Sequence, residues 1–193
     1  MVFGKKPGSS ALKKLVRAMK ALFGSSSARE DLLEEITDFP LSSIGAPIPV
    51  VLSDELQTFL CYYVENLPEG WDGTAVTSVG ADTVDEAVAI VTFKACKVHK
   101  FGPPNDEAIS GHPLYKKGLK PYRVFKVLSS SWIAELEKIN SVHPYHDKKR
   151  FDGLSHFIFG FKDSTFECVA ETAAFEVRAG SMRQIVQELV GRL

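Results

Sequence analysis

Apolar residues recur along this chain with two different periods, and the changes of period divide it. Near the start, Leu12, Leu15, Val16, Met19, Leu22 and Phe23 share one side of a helix wound at about 100° per residue, while Lys13, Lys14, Arg17 and Lys20 share the other. Ser9 or Ser10 can cap this helix, and Gly24 followed by Ser25–Ser27 ends it. A second short helix is predicted next. Ser27-Ala28-Arg29-Glu30 has the form of a capping box, and Leu32, Leu33 and Ile36 keep the helical spacing until Phe39-Pro40 stops it. This reading makes residues 1–39 a helical N-terminal segment and residues 40–193 a globular domain.

Beyond Pro40 the period shortens to two. Pro47–Leu52 and Thr58–Glu65 are rich in β-branched and aromatic residues and read as strands. Glu86–Val98 reads as one long strand, with Ala89, Val91, Phe93 and Ala95 on one face, ended by Phe101-Gly102-Pro103-Pro104-Asn105 because proline cannot donate to a ladder. Tyr122–Leu128 is a further strand. Helical spacing returns after Ser129–Ser131, where Trp132, Ile133, Leu136 and Ile139 form one face, and again where Ser181-Met182-Arg183-Gln184 opens a stripe of Met182, Ile185, Val186, Leu189 and Val190. The predicted fold is α+β: a mainly antiparallel sheet packed with the Trp132 helix and the C-terminal helix, preceded by the basic amphipathic helix.

One hairpin carries most of the candidate chemistry. His156–Phe161 and Phe166–Val177 flank Lys162-Asp163-Ser164-Thr165, a predicted turn. With Phe161 opposite Phe166, Phe159 meets Cys168 and Phe157 meets Ala170 on an apolar face. On the reverse face Gly160 meets Glu167, Ile158 meets Val169 and His156 meets Glu171. A one-residue slip would bury the glutamates and expose the phenylalanines. His156, Glu171 and the nearby Glu167 are then candidates for acid–base or metal chemistry, against the simpler reading of a cross-strand ion pair.

The other histidines are less organised. His143 and His146, with Asp147 beside them, have the donor types of a divalent-metal site, but Pro144 interrupts any helix that would align the rings. The alternative is a loop in which these histidines cap the preceding helix. His112 lies in a long irregular connection and is a candidate general base without a neighbouring carboxylate in sequence. There is no H-E-x-x-H, C-x-x-C, G-x-S-x-G, Walker A loop or G-x-G-x-x-G.

Composition narrows the function classes. The 193 residues are 45% hydrophobic and 24% charged with a formal net charge of −1, which suits a globular core and opposes a whole-domain nucleic-acid binder. Cys61, Cys96 and Cys168 each lie in an apolar run, as expected of reduced, buried thiols in a cytoplasmic protein. No apolar run approaches the ~20 residues that span a bilayer. Charge is nonetheless uneven, since no acidic residue precedes Glu30. The basic helix of residues 9–23 can therefore face an anionic membrane, meet an acidic partner, act as a transit peptide or dock on the domain.

Gly111-His112-Pro113-Leu114, Ser131-Trp132-Ile133, His156-Phe157-Ile158-Phe159 and Asp163-Ser164-Thr165-Phe166-Glu167-Cys168 together resemble a pattern of uncharacterised bacterial proteins, some of whose kind are immunity partners of toxins. The resemblance spans roughly the second half of the chain and implies no catalytic or binding residue. The expected function is non-catalytic protein binding, with no cofactor. Contact candidates are Trp71, His112, Tyr115, His143, His146, Asp147, Lys13, Arg17 and Lys20. One alternative is a hydrolase or lyase using His112, His143, His146, His156, Glu167 or Glu171, with or without a metal. The other is peripheral membrane attachment through the basic helix.

Overall fold

In the computed structural model, the described residues are 30–65, 78–84 and 86–193. Trp71, Lys13, Arg17, Lys20 and the expected helix at residues 9–23 lie outside them. The compact unit Asp31–Leu193 contains, in chain order, β1 (Leu32–Ile36), β2 (Val50–Ser53), β3 (Gln57–Tyr63), β4 (Ala87–Lys94), β5 (Val98–Gly102) and β6 (Val124–Leu128). Helices α1 (Ser131–Asn140) and α2 (Lys149–Asp152) follow, then β7 (Ser155–Gly160), β8 (Thr165–Ala170), β9 (Thr172–Ala179) and α3 (Met182–Val190). The strands form two antiparallel sheets, one in the order β1-β6-β7-β8-β5 and the other β2-β3-β4-β9. The α+β expectation holds.

Alternation explains how the sheets stack. Leu60, Tyr62, Ala89, Val91 and Phe93 from the second sheet meet Val124, Phe157, Phe159, Phe166, Cys168 and Ala170 from the first in one buried layer. Phe159 is at its centre, with ring centroids 5.6 Å from Phe39, 5.8 Å from Phe93 and 6.3 Å from Phe166. The reverse face of the second sheet presents Phe59, Cys61, Tyr63, Val88 and Ile90, which α3 covers with Met182, Ile185 and Leu189. As the sequence predicts, the Ser181 hydroxyl caps α3 by accepting from the Gln184 amide at 3.2 Å. The reverse face of the first sheet is covered by the connection between β5 and β6. It contributes Ile109, Leu114 and Leu119 against Phe125, Val127 and Ile158.

Four expectations are corrected. The helix predicted through Leu32, Leu33 and Ile36 is strand β1, with Leu33 opposite Val127 and Ile36 opposite Val124. Residues three apart share a helical face but lie on opposite faces of a strand. Both faces of this sheet are buried, so Leu33 packs with Val127 on one and Ile36 with Val124 on the other. A short isolated helix is marginal and loses to the open edge of β6.

The long strand predicted over Glu86–Val98 is two strands. Ala95 takes a left-handed conformation (φ 51°), and the chain leaves the second sheet for the first. The strand predicted over Phe166–Val177 likewise breaks at Glu171 and passes from the first sheet to the second. Finally, the hairpin turn holds two residues rather than four. The Phe161 amide donates to the Ser164 carbonyl at 2.9 Å, Phe159 opposes Phe166, and His156 opposes Val169 rather than Glu171. This register differs from the expected one by two residues, so every side chain keeps its face while its partner changes.

Phe159→Ala is expected to lower the unfolding free energy by about 3–5 kcal/mol. Phe175→Ala, at a ring 41% exposed, should cost well under half of that. Urea denaturation of both variants at neutral pH measures the difference.

Candidate functional site

Because Phe157, Phe159, Phe166 and Cys168 face the inter-sheet layer, their neighbours His156 and Glu167 project from the opposite face of the first sheet. There the His156 Nε2 lies 3.0 Å from Glu167 Oε2. The second carboxylate oxygen, Oε1, is 3.3 Å from Nε2 of His112, which the β5–β6 connection brings over the sheet. Side-chain exposures of 6% for His156, 7% for His112 and 14% for Glu167 place all three beneath the surface. His112 thus gains the carboxylate that its sequence neighbours lack, from a strand 55 residues away.

Hydrogen bonding sets the tautomer of His112. The Leu114 amide donates to Nδ1 of His112 at 3.1 Å, so that nitrogen carries a lone pair and Nε2–H donates to Glu167. Nδ1 of His156 is 3.0 Å from the Ser130 hydroxyl. That same oxygen accepts from the Ile133 amide at 3.2 Å and caps α1. A neutral His156 accepts the Ser130 proton, and a charged one donates to the Ser130 oxygen; neither state leaves an atom unpaired. The Trp132 ring meets His156 edge-on at 5.1 Å, and Lys100 Nζ sits 3.9 Å from the Trp132 ring centre.

Glu167 is the electrostatic centre. Burial alone raises its pKa, but hydrogen bonds from His112 and His156, and the charge that His156 can carry, outweigh burial and hold it well below the usual carboxylate range. The order Ser130, His156, Glu167 is that of a hydroxyl–imidazole–carboxylate relay. Its hydroxyl, however, belongs to a serine only 5% exposed that already caps a helix. What the network does here is join the sheet, α1 and the β5–β6 connection through paired groups.

The remaining candidates lie elsewhere. Glu171 approaches Lys94 at 4.0 Å at the surface, away from His156. His146 bonds Glu137 at 2.8 Å and Asn140 at 3.1 Å, which ties the turn after α1 back onto that helix. His143 Nδ1 accepts from the Tyr145 amide at 3.1 Å, and Asp147 accepts from the Lys149 amide at 3.0 Å at the start of α2. Among the described residues no three His, Cys, Asp or Glu side chains are arranged to hold a metal ion. Tyr115 is 43% exposed on the connection that carries His112.

A second feature carries no sequence motif. An open groove of about 680 Å³ is lined by Lys97, Leu136, Ile139, His143, Arg150 and Phe151, among others. In its lining Ile139 and Val142 are 64% and 89% exposed, and Tyr145, with its ring 5.9 Å from that of His143, is 82% exposed. The sequence signal was present, since Ile139 and Val142 continue the apolar spacing of α1 past the point where the helix has a sheet to cover. No helix among the described residues is long and apolar enough to cross a membrane. No protein-family model matches the chain, and neither a curated protein nor a solved structure is significantly similar to it.

The lowered pKa of Glu167 gives stability a definite pH dependence. A group whose folded pKa is depressed contributes stability above its unfolded value, near 4.5 for glutamate, and that contribution fades as pH falls below it. Wild type should therefore exceed Glu167→Gln in unfolding free energy by about 3–5 kcal/mol at pH 7. The gap should narrow steadily from pH 4.5 downward. Denaturant titrations of the pair across that range measure it, and a gap independent of pH would remove the charge from the account.

Proposed function

We propose that this chain is a non-catalytic protein-binding domain of the cytoplasm, of the immunity or accessory kind, and that its contact surface is the groove beside α1. The observation that carries this reading is the exposure of Ile139 and Val142 in the groove lining, beside Tyr145, whose ring lies 5.9 Å from that of the lining residue His143. Contiguous apolar exposure of this sort is uncommon on a soluble surface unless something covers it. The histidines that would serve a catalyst are occupied instead, His112 and His156 by Glu167 and His146 by Glu137.

The groove is also held in shape. The His146 bonds to Glu137 and Asn140 fix the turn that forms one wall, so little order is lost on binding. Lys97 and Arg150 line it, and Lys148 and Lys149 are exposed nearby. A partner that fits presents apolar side chains flanked by acidic ones.

Ile139→Glu combined with Val142→Glu tests this surface. Both positions are exposed, so stability should change by no more than about 0.5 kcal/mol per site. Binding should weaken by at least about 2 kcal/mol, near 30-fold in Kd. The measurement is affinity capture with the full wild-type chain, followed by calorimetry of the purified partner against both forms. A partner held equally well by the double variant would place the contact on another surface.

A further inference from the structure

The connection from β4 to β5 carries Cys96 across from one sheet to the other. Ala95 just before it adopts φ 51°, and the Lys97 amide just after it donates to the Val169 carbonyl at 2.8 Å. That bond anchors the connection beside β8, where Cys168 is opposite His99. Cys96 packs on the inter-sheet layer to which Cys168 belongs, and the two thiols are within hydrogen-bonding reach. Their exposures differ. Cys168 is fully buried, whereas Cys96 is half-buried and opens onto a cleft of about 730 Å³ lined also by Ser53, Thr58, Lys94, Lys97 and His99.

We infer that Cys96 and Cys168 form a peroxide-reactive dithiol, in which Cys96 attacks a small hydroperoxide entering this cleft and Cys168 resolves the product as a disulfide. In the first step the Cys96 thiolate attacks one peroxide oxygen. A sulfur–oxygen bond forms, the O–O bond breaks, and the departing oxygen takes a proton to leave as water or an alcohol. Cys96 is then a sulfenic acid. In the second step Cys168 gives up its proton and attacks the Cys96 sulfur, the S–S bond forms, and hydroxide leaves and is protonated to water. Two thiols are oxidised by two electrons in all, and one hydroperoxide is reduced.

The surroundings suit the two roles. The hydrogen bond from Cys168 lowers the Cys96 pKa to about 6 against the opposing effect of burial, with Thr58 and the charge of His99 adding to it. The Cys96 thiol itself donates to the Val98 carbonyl at 3.5 Å, and a lowered thiol pKa favours the nucleophilic thiolate. Burial above all pushes the Cys168 thiol well above its ordinary pKa, and its full burial keeps it from meeting the hydroperoxide first. Cys61 is on the reverse face of the second sheet under α3, and burial pushes its thiol up to about 12, so it is no competitor.

The test is oxidation of the full-length protein by hydrogen peroxide at pH 7, read by intact mass and peptide mapping. The wild type should lose two hydrogens and yield a Cys96–Cys168 cross-linked peptide that a phosphine reductant reverses. Cys168→Ala should stop at a sulfenic acid on Cys96 that dimedone traps, and Cys61→Ala should behave as wild type. Iodoacetamide should label Cys96 at least about 100-fold faster than Cys61. Because the cross-linked peptide is sought in the wild type, poor folding of a variant does not obscure the result. A wild type whose Cys96 stays a thiol, or advances to sulfinic acid without the cross-link, overturns the inference.

Discussion

The period-two geometry of a strand that is buried on both faces governs the site. Filling the inter-sheet layer with Phe157, Phe159, Phe166 and Cys168 leaves the alternate residues of β7 and β8 no choice of side. Two of these are His156 and Glu167, and their face is also covered, by the β5–β6 connection and by α1. A carboxylate in such a position is costly unless it is paired and hydrogen-bonded. Both of its oxygens are, one to His156 and one to His112. The cover and the charge are therefore interdependent. Without the connection Glu167 would lose His112, and without Glu167 the connection would keep the Thr165–Pro104 hydrogen bond but lose its tie to the buried carboxylate.

That reciprocity also accounts for Ser130. Its oxygen caps α1 and meets His156, so the helix start and the imidazole position are set by one atom. Trp132, one residue into the helix, is placed edge-on against the same ring, and Lys100 lies over the indole from β5. Four separate stretches of chain converge on one imidazole–carboxylate centre. A deep, ordered polar network of this kind specifies an arrangement.

Much of this fold was legible in the residue pattern. The α3 cap, the Trp132 helix, the strands at β2, β3 and β6 and the hairpin faces all follow from local chemistry and periodicity. The hairpin partner did not, because alternation fixes the face of a residue and is indifferent to a shift by two. Phe161 opposite Ser164 and Phe161 opposite Phe166 bury the same phenylalanines. The turn at Lys162-Asp163 decides between them, and with it whether His156 meets Glu171 or Glu167. The sheet changes were hidden differently. Phe166, Cys168 and Ala170 occupy even positions, whereas Ala173 packs on the same layer from an odd one and the Phe175 ring lies tilted 5.0 Å from that of Phe39. That change of parity at Glu171 is the trace of the crossing. His112 was beyond local reading altogether, since the carboxylate that holds it arrives only when the connection folds over the sheet.

The two crossings occur side by side, and their adjacency has a chemical consequence. The Glu171 amide donates to the Lys94 carbonyl at 3.0 Å, so the break after β4 and the break after β8 are joined at one corner of the sandwich. Strand pairing must stop there on both sheets, and a corner without a ladder cannot be sealed as tightly as the layer it borders. Cys96 is located in that gap, half in the apolar layer and half in the cleft. Cys168 is one strand inside, where the layer is closed. The same topology that covers Glu167 thus leaves a sulfur pair straddling the boundary between core and solvent. Among the described residues, this unsealed corner brings solvent access and a neighbouring second thiol together, which the covered histidine-rich face does not.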